Sequence, residues 1–244
     1  DAGEALRVQA QRIVALCEET LRIMDEFRDV KRGRLRIGAT TTPGVYLLPA
    51  LLRKLVEENP LLDIDFAIGN RSEVIARLLD YEHDVALVAG AMPDHPALKV
   101  VHLDDEELIP FGSPDSELAR RKTVTAEEFV AQRLFVREPG SGTRETVDSL
   151  FARLNLVPRE RVELPNNEAI RQAVEANMGY AILFRSAVEK DLRRGTLVEI
   201  NVPELHCVRG IWLVYRKGQF LSAAIRRFFE ALAVEVDEGQ RPTE

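Results

Sequence analysis

Arg137-Glu138-Pro139-Gly140-Ser141-Gly142-Thr143-Arg144 decides how the chain is read. It follows a short apolar run, Leu134-Phe135-Val136, with the character of a strand. It precedes a helical pattern in which Val147, Leu150, Phe151 and Leu154 share one face. The stretch is therefore a strand-to-helix loop rich in glycine and hydroxyls. Its glycines let backbone approach a guest closely, and Ser141 or Thr143 is placed to cap the helix. The first N–H groups of a helix have no internal partner, and its dipole favours negative charge there. The loop thus has the makings of an anion cradle, to which Arg144 would add charge. A lone loop of this type is more often an ordinary capped turn. A second loop of the same kind earlier in the chain shifts the balance.

That earlier loop is Ala39-Thr40-Thr41-Thr42-Pro43-Gly44. It lies between the strand Leu35-Arg36-Ile37 and a helix over 46–58 that ends at Asn59-Pro60. A strand at 64–68, a turn at Gly69-Asn70-Arg71-Ser72, a helix over 73–80 and a strand at Val85-Ala86-Leu87-Val88 follow. Alternating strands and helices predict parallel pairing with right-handed crossovers. Residues 133–184 repeat the plan: the strand 134–136, the loop 138–143, a helix over 143–154, a strand at Val162-Glu163-Leu164. There Asn166-Asn167-Glu168-Ala169-Ile170 echoes 69–75, and Tyr180-Ala181-Ile182-Leu183 echoes 84–87. The fold class is α/β, with two similar βαβ-type halves. Strand segments at 98–103, 107–111 and 207–215, then a helix over 220–236, complete it. Two crossing strands link the halves. The predicted division is 33–111 plus 212–244 for one subdomain and 112–211 for the other. Ligands in open parallel sheets bind beyond the carboxyl ends of the strands. The two polar loops are expected to face one another there.

Residues 1–32 read as one long helix that Gly33 ends. Leu6, Ala10, Ile13, Cys17, Thr20, Met24 and Phe27 step by fours and threes, a coiled-coil seam with one polar interruption. Leu6, Ile13, Met24 and Phe27 are its candidate dimerisation residues.

The 244 residues carry a net charge of −7, a poor footprint for a nucleic-acid surface. No run of about twenty apolar residues is long enough to span a bilayer. The opening thirty residues are charged and amphipathic, unlike a signal peptide. The two cysteines, Cys17 and Cys207, form no CxxC pair, which fits a reducing, cytoplasmic setting.

Landmarks in order now resemble one family. Gly33-Arg34-Leu35-Arg36-Ile37-Gly38, Leu48-Pro49, Asn59-Pro60, Asp84-Val85-Ala86-Leu87-Val88, the 137–144 loop, Gly179-Tyr180-Ala181-Ile182-Leu183 and Leu221-Ser222-Ala223-Ala224-Ile225-Arg226-Arg227-Phe228 are similar to the effector-binding region of LysR-type transcriptional regulators. The resemblance covers nearly the whole chain; its strength lies in the set, since no single motif is specific. It implies a type 2 periplasmic-binding-protein-like fold. It implies that residues 1–32 are the linker helix that pairs in a dimer or higher homo-oligomer. The winged helix-turn-helix of the family is not in this sequence, so the chain alone is not expected to bind DNA well. The resemblance places Thr40 and Thr42 as pocket hydroxyls ahead of Pro49, Asn70 at the start of the next helix, and Ser141, Gly142 and Thr143 on the facing loop. The candidate effector set is Thr40, Thr41, Thr42, Asn70 and Arg71 from the first half, and Glu138, Ser141, Gly142, Thr143 and Asn167 from the second. The family also implies a small organic acid or phosphorylated metabolite as effector.

Other chemistry is weakly represented. Gly140-Ser141-Gly142 lacks the spacing of a nucleophile elbow. His83, His95, His102 and His206 show no metal-ligand spacing with Cys or Glu. There is no dinucleotide or P-loop fingerprint. No cofactor, metal or catalytic residue is therefore expected, and no enzymatic activity. Trp212 reads as core and Asp104-Asp105-Glu106-Glu107 as a solvated acidic face. The alternative reading is a transporter's solute-binding protein, which shares the fold but has no use for a coiled-coil linker.

Overall fold

The computed structural model describes residues 33–91 and 94–234, together with Gly3, Leu6, Gln9, Ala10, Ile13, Val14, Leu16, Cys17, Thr20, Leu21 and Met24. Those early residues are all helical (α1), and Leu6, Ile13 and Met24 are exposed. Phe27 lies outside the described residues. The residues just before Gly33, where the helix is expected to end, lie outside the described residues; Gly33 itself is the first residue of β1 (Gly33–Thr40) and pairs with Leu62.

The chain forms two compact units. Unit 1 comprises 1–88, 92–103 and 212–244, and unit 2 comprises 89–91 and 104–211. The strands β4 (Leu98–Gly112) and β9 (Cys207–Arg216) each contribute to both.

Unit 1 lays its strands in the order β2 (Leu62–Gly69), β1, β3 (Val85–Ala89), β9. Both pairings of β1 are parallel. Along β3, Val85 and Leu87 point to one side, with Leu35, Ile37, Leu52, Leu55, Phe228 and Phe229. Ala86 and Val88 point to the other, with Val74, Leu78 and Val214. This is the period-2 signature of a strand buried on both faces, which is why the sequence there reads as an unbroken apolar run. The covering helices are α2 (Leu48–Glu58), α3 (Arg71–Leu79) and α8 (Ala223–Ala231). Helical conformation starts at Thr41, and the stretch Pro43–Leu47 is a π-turn leading into α2. Pro43 loses nothing by lacking an N–H in the first turn. A Cβ on Gly44 would come within 2.8 Å of Ile68 Cγ1, so glycine lets this turn lie against β2.

Unit 2 has the order β4, β7 (Tyr180–Phe184), β5 (Arg133–Arg137), β6 (Glu160–Leu164), with the short β8 (Val198–Glu199) on β4. Pairing is parallel between β5 and its neighbours, as the βαβ pattern requires. It is antiparallel where β4 meets β7 and β8, so the sheet is mixed. Around it pack α4 (Ala126–Val130), α5 (Gly142–Arg153), α6 (Asn167–Glu175) and α7 (Arg185–Arg194). Gly179 lets β7 begin close to β5: a Cβ there would stand 2.6 Å from the Arg133 carbonyl.

Two expectations need correction. The segments 98–103 and 107–111 are one strand, running through the acidic residues 104–107. Those acids are also not simply a solvated face. Phe184 at the N-cap of α7 has no side-chain cap to offer, and the Ser186 N–H donates instead to Glu106 Oε1 at 3.0 Å. Burial raises the Glu106 carboxyl pKa despite that bond. Glu107 accepts from Arg185 Nε at 2.8 Å and lies 3.1 Å from His206 Nδ1.

Candidate effector site

In unit 2 the register Arg137↔Leu164 brings the carboxyl ends of β5 and β6 level, so the starts of α5 and α6 are neighbours. Gly140 takes φ 84°, a left-handed value open to glycine, and the turn closes with the Ser141 N–H donating to the Glu138 carbonyl at 3.3 Å. Ser141 occupies the N-cap of α5 and its carbonyl accepts from Glu145 N–H at 3.0 Å, but its side chain makes no capping bond. Ser141 and Thr143 are both buried. Neither hydroxyl has a hydrogen-bond partner among the described residues, and the first N–H groups of the helix share that end. Gly142 is needed for packing: a Cβ would stand 3.0 Å from the Ala89 carbonyl.

The charges of this loop are already committed. Arg137, only 5% exposed, grips Glu138 with Nε and Nη2 at 2.7 and 2.8 Å, and donates from Nη1 to Asn167 Oδ1 at 2.6 Å. The carboxylate of Glu138 and the carbonyl of Asn167 therefore serve Arg137 first. Arg144 does not add charge to the cradle. Its Nε donates to Asp148 at 2.6 Å and its Nη1 to the Arg137 carbonyl at 2.8 Å. An anion here is attracted by helix N–H groups and hydroxyls. Arg137 escaped sequence reading, although a charge ending a buried apolar run is itself a signal of a paired, interior arginine.

In unit 1 the register Thr40↔Gly69 aligns the loop Thr40–Thr42 with Asn70 and Arg71 at the carboxyl ends of β1 and β2. Thr40 and Thr42 are buried, Thr41 partly so. Thr42 makes no capping bond, and its hydroxyl has no partner among the described residues. Asn70 is the N-cap of α3: its side chain accepts from Glu73 N–H at 2.9 Å while Glu73 Oε2 accepts from the Asn70 N–H at 3.2 Å. This capping box commits the Asn70 oxygen locally. Among the described residues no group of three metal-ligating side chains comes together, and no helix is long and apolar enough to cross a membrane.

Two α/β units, each with paired helix starts at the carboxyl ends of parallel strands, define a type 2 periplasmic-binding-protein-like fold. The family model for the LysR substrate binding domain matches residues 28–236, and the chain belongs to this family as the effector-binding domain of a LysR-type transcriptional regulator. It is 36% identical over 226 residues to the HTH-type regulator YeiE of Escherichia coli K12, covering 92% of this chain and 75% of that protein. It is 28% identical over 232 residues to the transcriptional activator CmpR of Synechocystis, covering 95% and 76%. Among solved structures, the Synechocystis PCC6803 CcmR regulatory domain in complex with 2-PG superposes with a TM-score of 0.76 at 28% identity, covering 82% of this chain and 96% of that one.

Proposed function

We propose that the chain senses a small anionic metabolite, an organic acid or a phosphorylated compound, at these helix starts. The observation that carries this reading is the set of buried hydroxyls without partners at helix starts: Thr42 in unit 1, Ser141 and Thr143 in unit 2. Hydroxyls and free N–H groups at a helix start suit an anion. The complex of the similar CcmR domain with 2-PG supports the ligand class. Thr40, Thr41, Arg71 and Gly142 line the same helix starts, while Asn70, Glu138 and Asn167 hold them in shape. The chain acts by binding in the cytoplasm and not by catalysis. DNA is contacted through a part of the regulator other than this one, since a net charge of −7 gives no basic footprint.

Calorimetric titration with 2-PG and a panel of small organic acids tests the proposal. Thr42→Val and Ser141→Ala each keep the shape and delete a hydroxyl. Each is expected to weaken binding by about tenfold or more, in line with the roughly 1.5–3 kcal/mol of a hydrogen bond to a charged group. Parental affinity in both variants would place the ligand elsewhere.

Residues 1–32 are proposed to pair with a second copy. Leu6, Ile13 and Met24 expose apolar side chains on a helix, Ile13 at 63%. Ile13→Glu is expected to shift sedimenting species toward the monomer at micromolar concentration, because it buries a charge in an apolar seam. A parent that sediments as a monomer there refutes the pairing.

A further inference from the structure

Unit 1 holds a cavity of about 140 Å³ lined by Ala67, Ile68, Gly69, Glu73, Val74, Arg77 and His83. At about 10–15 Å³ for each water, it has room for a molecule larger than solvent. Three features of the wall set its chemistry. The first is His83. It is 4% exposed, and its Nε2 has no hydrogen-bond partner among the described residues. Burial and the nearby charge of Arg77 hold its pKa down at about 4, so the ring is neutral at neutral pH. Gly38 makes way for it: a Cβ there would come within 2.5 Å of His83 Cδ2. The second is Arg77, which commits its Nε to Glu82 at 2.8 Å, while its two Nη groups make no hydrogen bond among the described residues. The third is Glu73, whose Oε2 caps α3 at the Asn70 N–H while Oε1 remains an open acceptor.

The chemistry of a guest follows from this wall. One guanidinium and one carboxylate, four residues apart on α3, line it, so a bare anion is repelled by Glu73 and a bare cation by Arg77. A metal would find only Glu73 and His83 as ligands. Ala67, Val74 and Ile68 supply apolar surface between the polar groups. From this arrangement we infer that the cavity is a second ligand site, for a small zwitterion of the amino-acid type. Its carboxylate is received by Arg77 and His83 and its ammonium by Glu73, and its short apolar side chain rests on Ala67, Val74 and Ile68. None of its lining residues is one of the candidate effector residues, although Glu73 also caps α3 at Asn70 and Gly69 pairs with Thr40.

The probes are L-alanine, and propanoate and ethylamine as its single-charge counterparts, titrated into the whole chain by calorimetry and by chemical-shift perturbation. L-Alanine is expected to bind with a Kd of about 1 mM or tighter, a modest value for so small a ligand, with both counterparts at least tenfold weaker. Ala67→Leu fills the cavity and Arg77→Met removes the carboxylate partner, and both are expected to abolish L-alanine binding. Thr42→Val is expected to leave it unchanged. Should Ala67→Leu fold poorly, Arg77→Met on the exposed face of α3 still decides. Propanoate binding as well as L-alanine, no detectable L-alanine binding, or unaltered binding in Arg77→Met each overturns the inference. Loss of 2-PG binding in Thr42→Val with L-alanine binding intact separates this site from the proposed effector site.

Discussion

Arg137→Met is expected to cost roughly 3–5 kcal/mol of stability, the range seen when one partner of a buried ion pair is removed. Met preserves much of the volume and leaves β5 its apolar contacts. What it removes is the common partner of Glu138 and Asn167. Arg137 is only 5% exposed, and its three bonds at 2.6–2.8 Å tie the 138–141 loop to the first residue of α6. Without the guanidinium, the Asn167 side-chain oxygen is left buried and unpaired, and the Glu138 carboxylate must turn to water. Glu138 is 31% exposed in its side chain and can make that turn, which argues for the lower end of the range. Urea unfolding reads the effect directly. The double variant Arg137→Met/Glu138→Gln should recover part of the loss, since no charge is then left behind. A single-variant cost below about 1 kcal/mol would show that the network does not hold the loop. The same loop carries Ser141, so 2-PG titration of Arg137→Met is expected to show weakened binding as well.

Acidification gives the second large effect. His83 titrates near 6.5 when unfolded and at about 4 when folded, chiefly because burial disfavours its charged form; Arg77 and Arg36 add repulsion, and Glu82 and Asp84 oppose it. Between those values the unfolded chain binds the extra proton, so stability rises with pH across that window. The contribution is fully present above about pH 6.5 and is lost as the pH falls toward 4, amounting to about 3 kcal/mol at the bottom. Urea midpoints at pH 7 and pH 4 for the parent and for His83→Gln measure it. The glutamine variant cannot titrate, so its loss on acidification should be smaller than the parent's by about that amount. Equal losses in the two proteins would show that His83 is not the responsible group.

The parallel βαβ plan was legible because its strands are buried on both faces. Runs such as Val85-Ala86-Leu87-Val88 and Leu134-Phe135-Val136 have no competing interpretation once glycine-rich loops bound them. The helix start near 142 was legible from loop composition, whereas at the first loop the helix was expected over 46–58 and helical conformation begins earlier, at Thr41. Side-chain commitments were not. Arg144 faces Asp148 one turn on, and Asn70 closes a capping box with Glu73, partnerships set by rotamers that sequence spacing permits but does not choose. The continuous strand through 104–107 was hidden because its outward residues are acidic and give no apolar period. The helix α7 escaped because it opens on Arg185-Ser186 with no local cap in sequence.

That borrowed cap has a consequence for the order of folding. The helices α3 and α4 close their N-termini with capping boxes whose partners lie three residues apart, so these caps need no distant segment. The first turn of α7 waits for Glu106, eighty residues earlier in the chain. It gains its stabilising carboxylate only after a long loop has closed, a step whose entropy must be spent before the contact returns anything. The Ser186 amide therefore belongs to the late-forming, first-opening part of unit 2, and its hydrogen exchange should outpace that of the Glu73 and Glu128 amides.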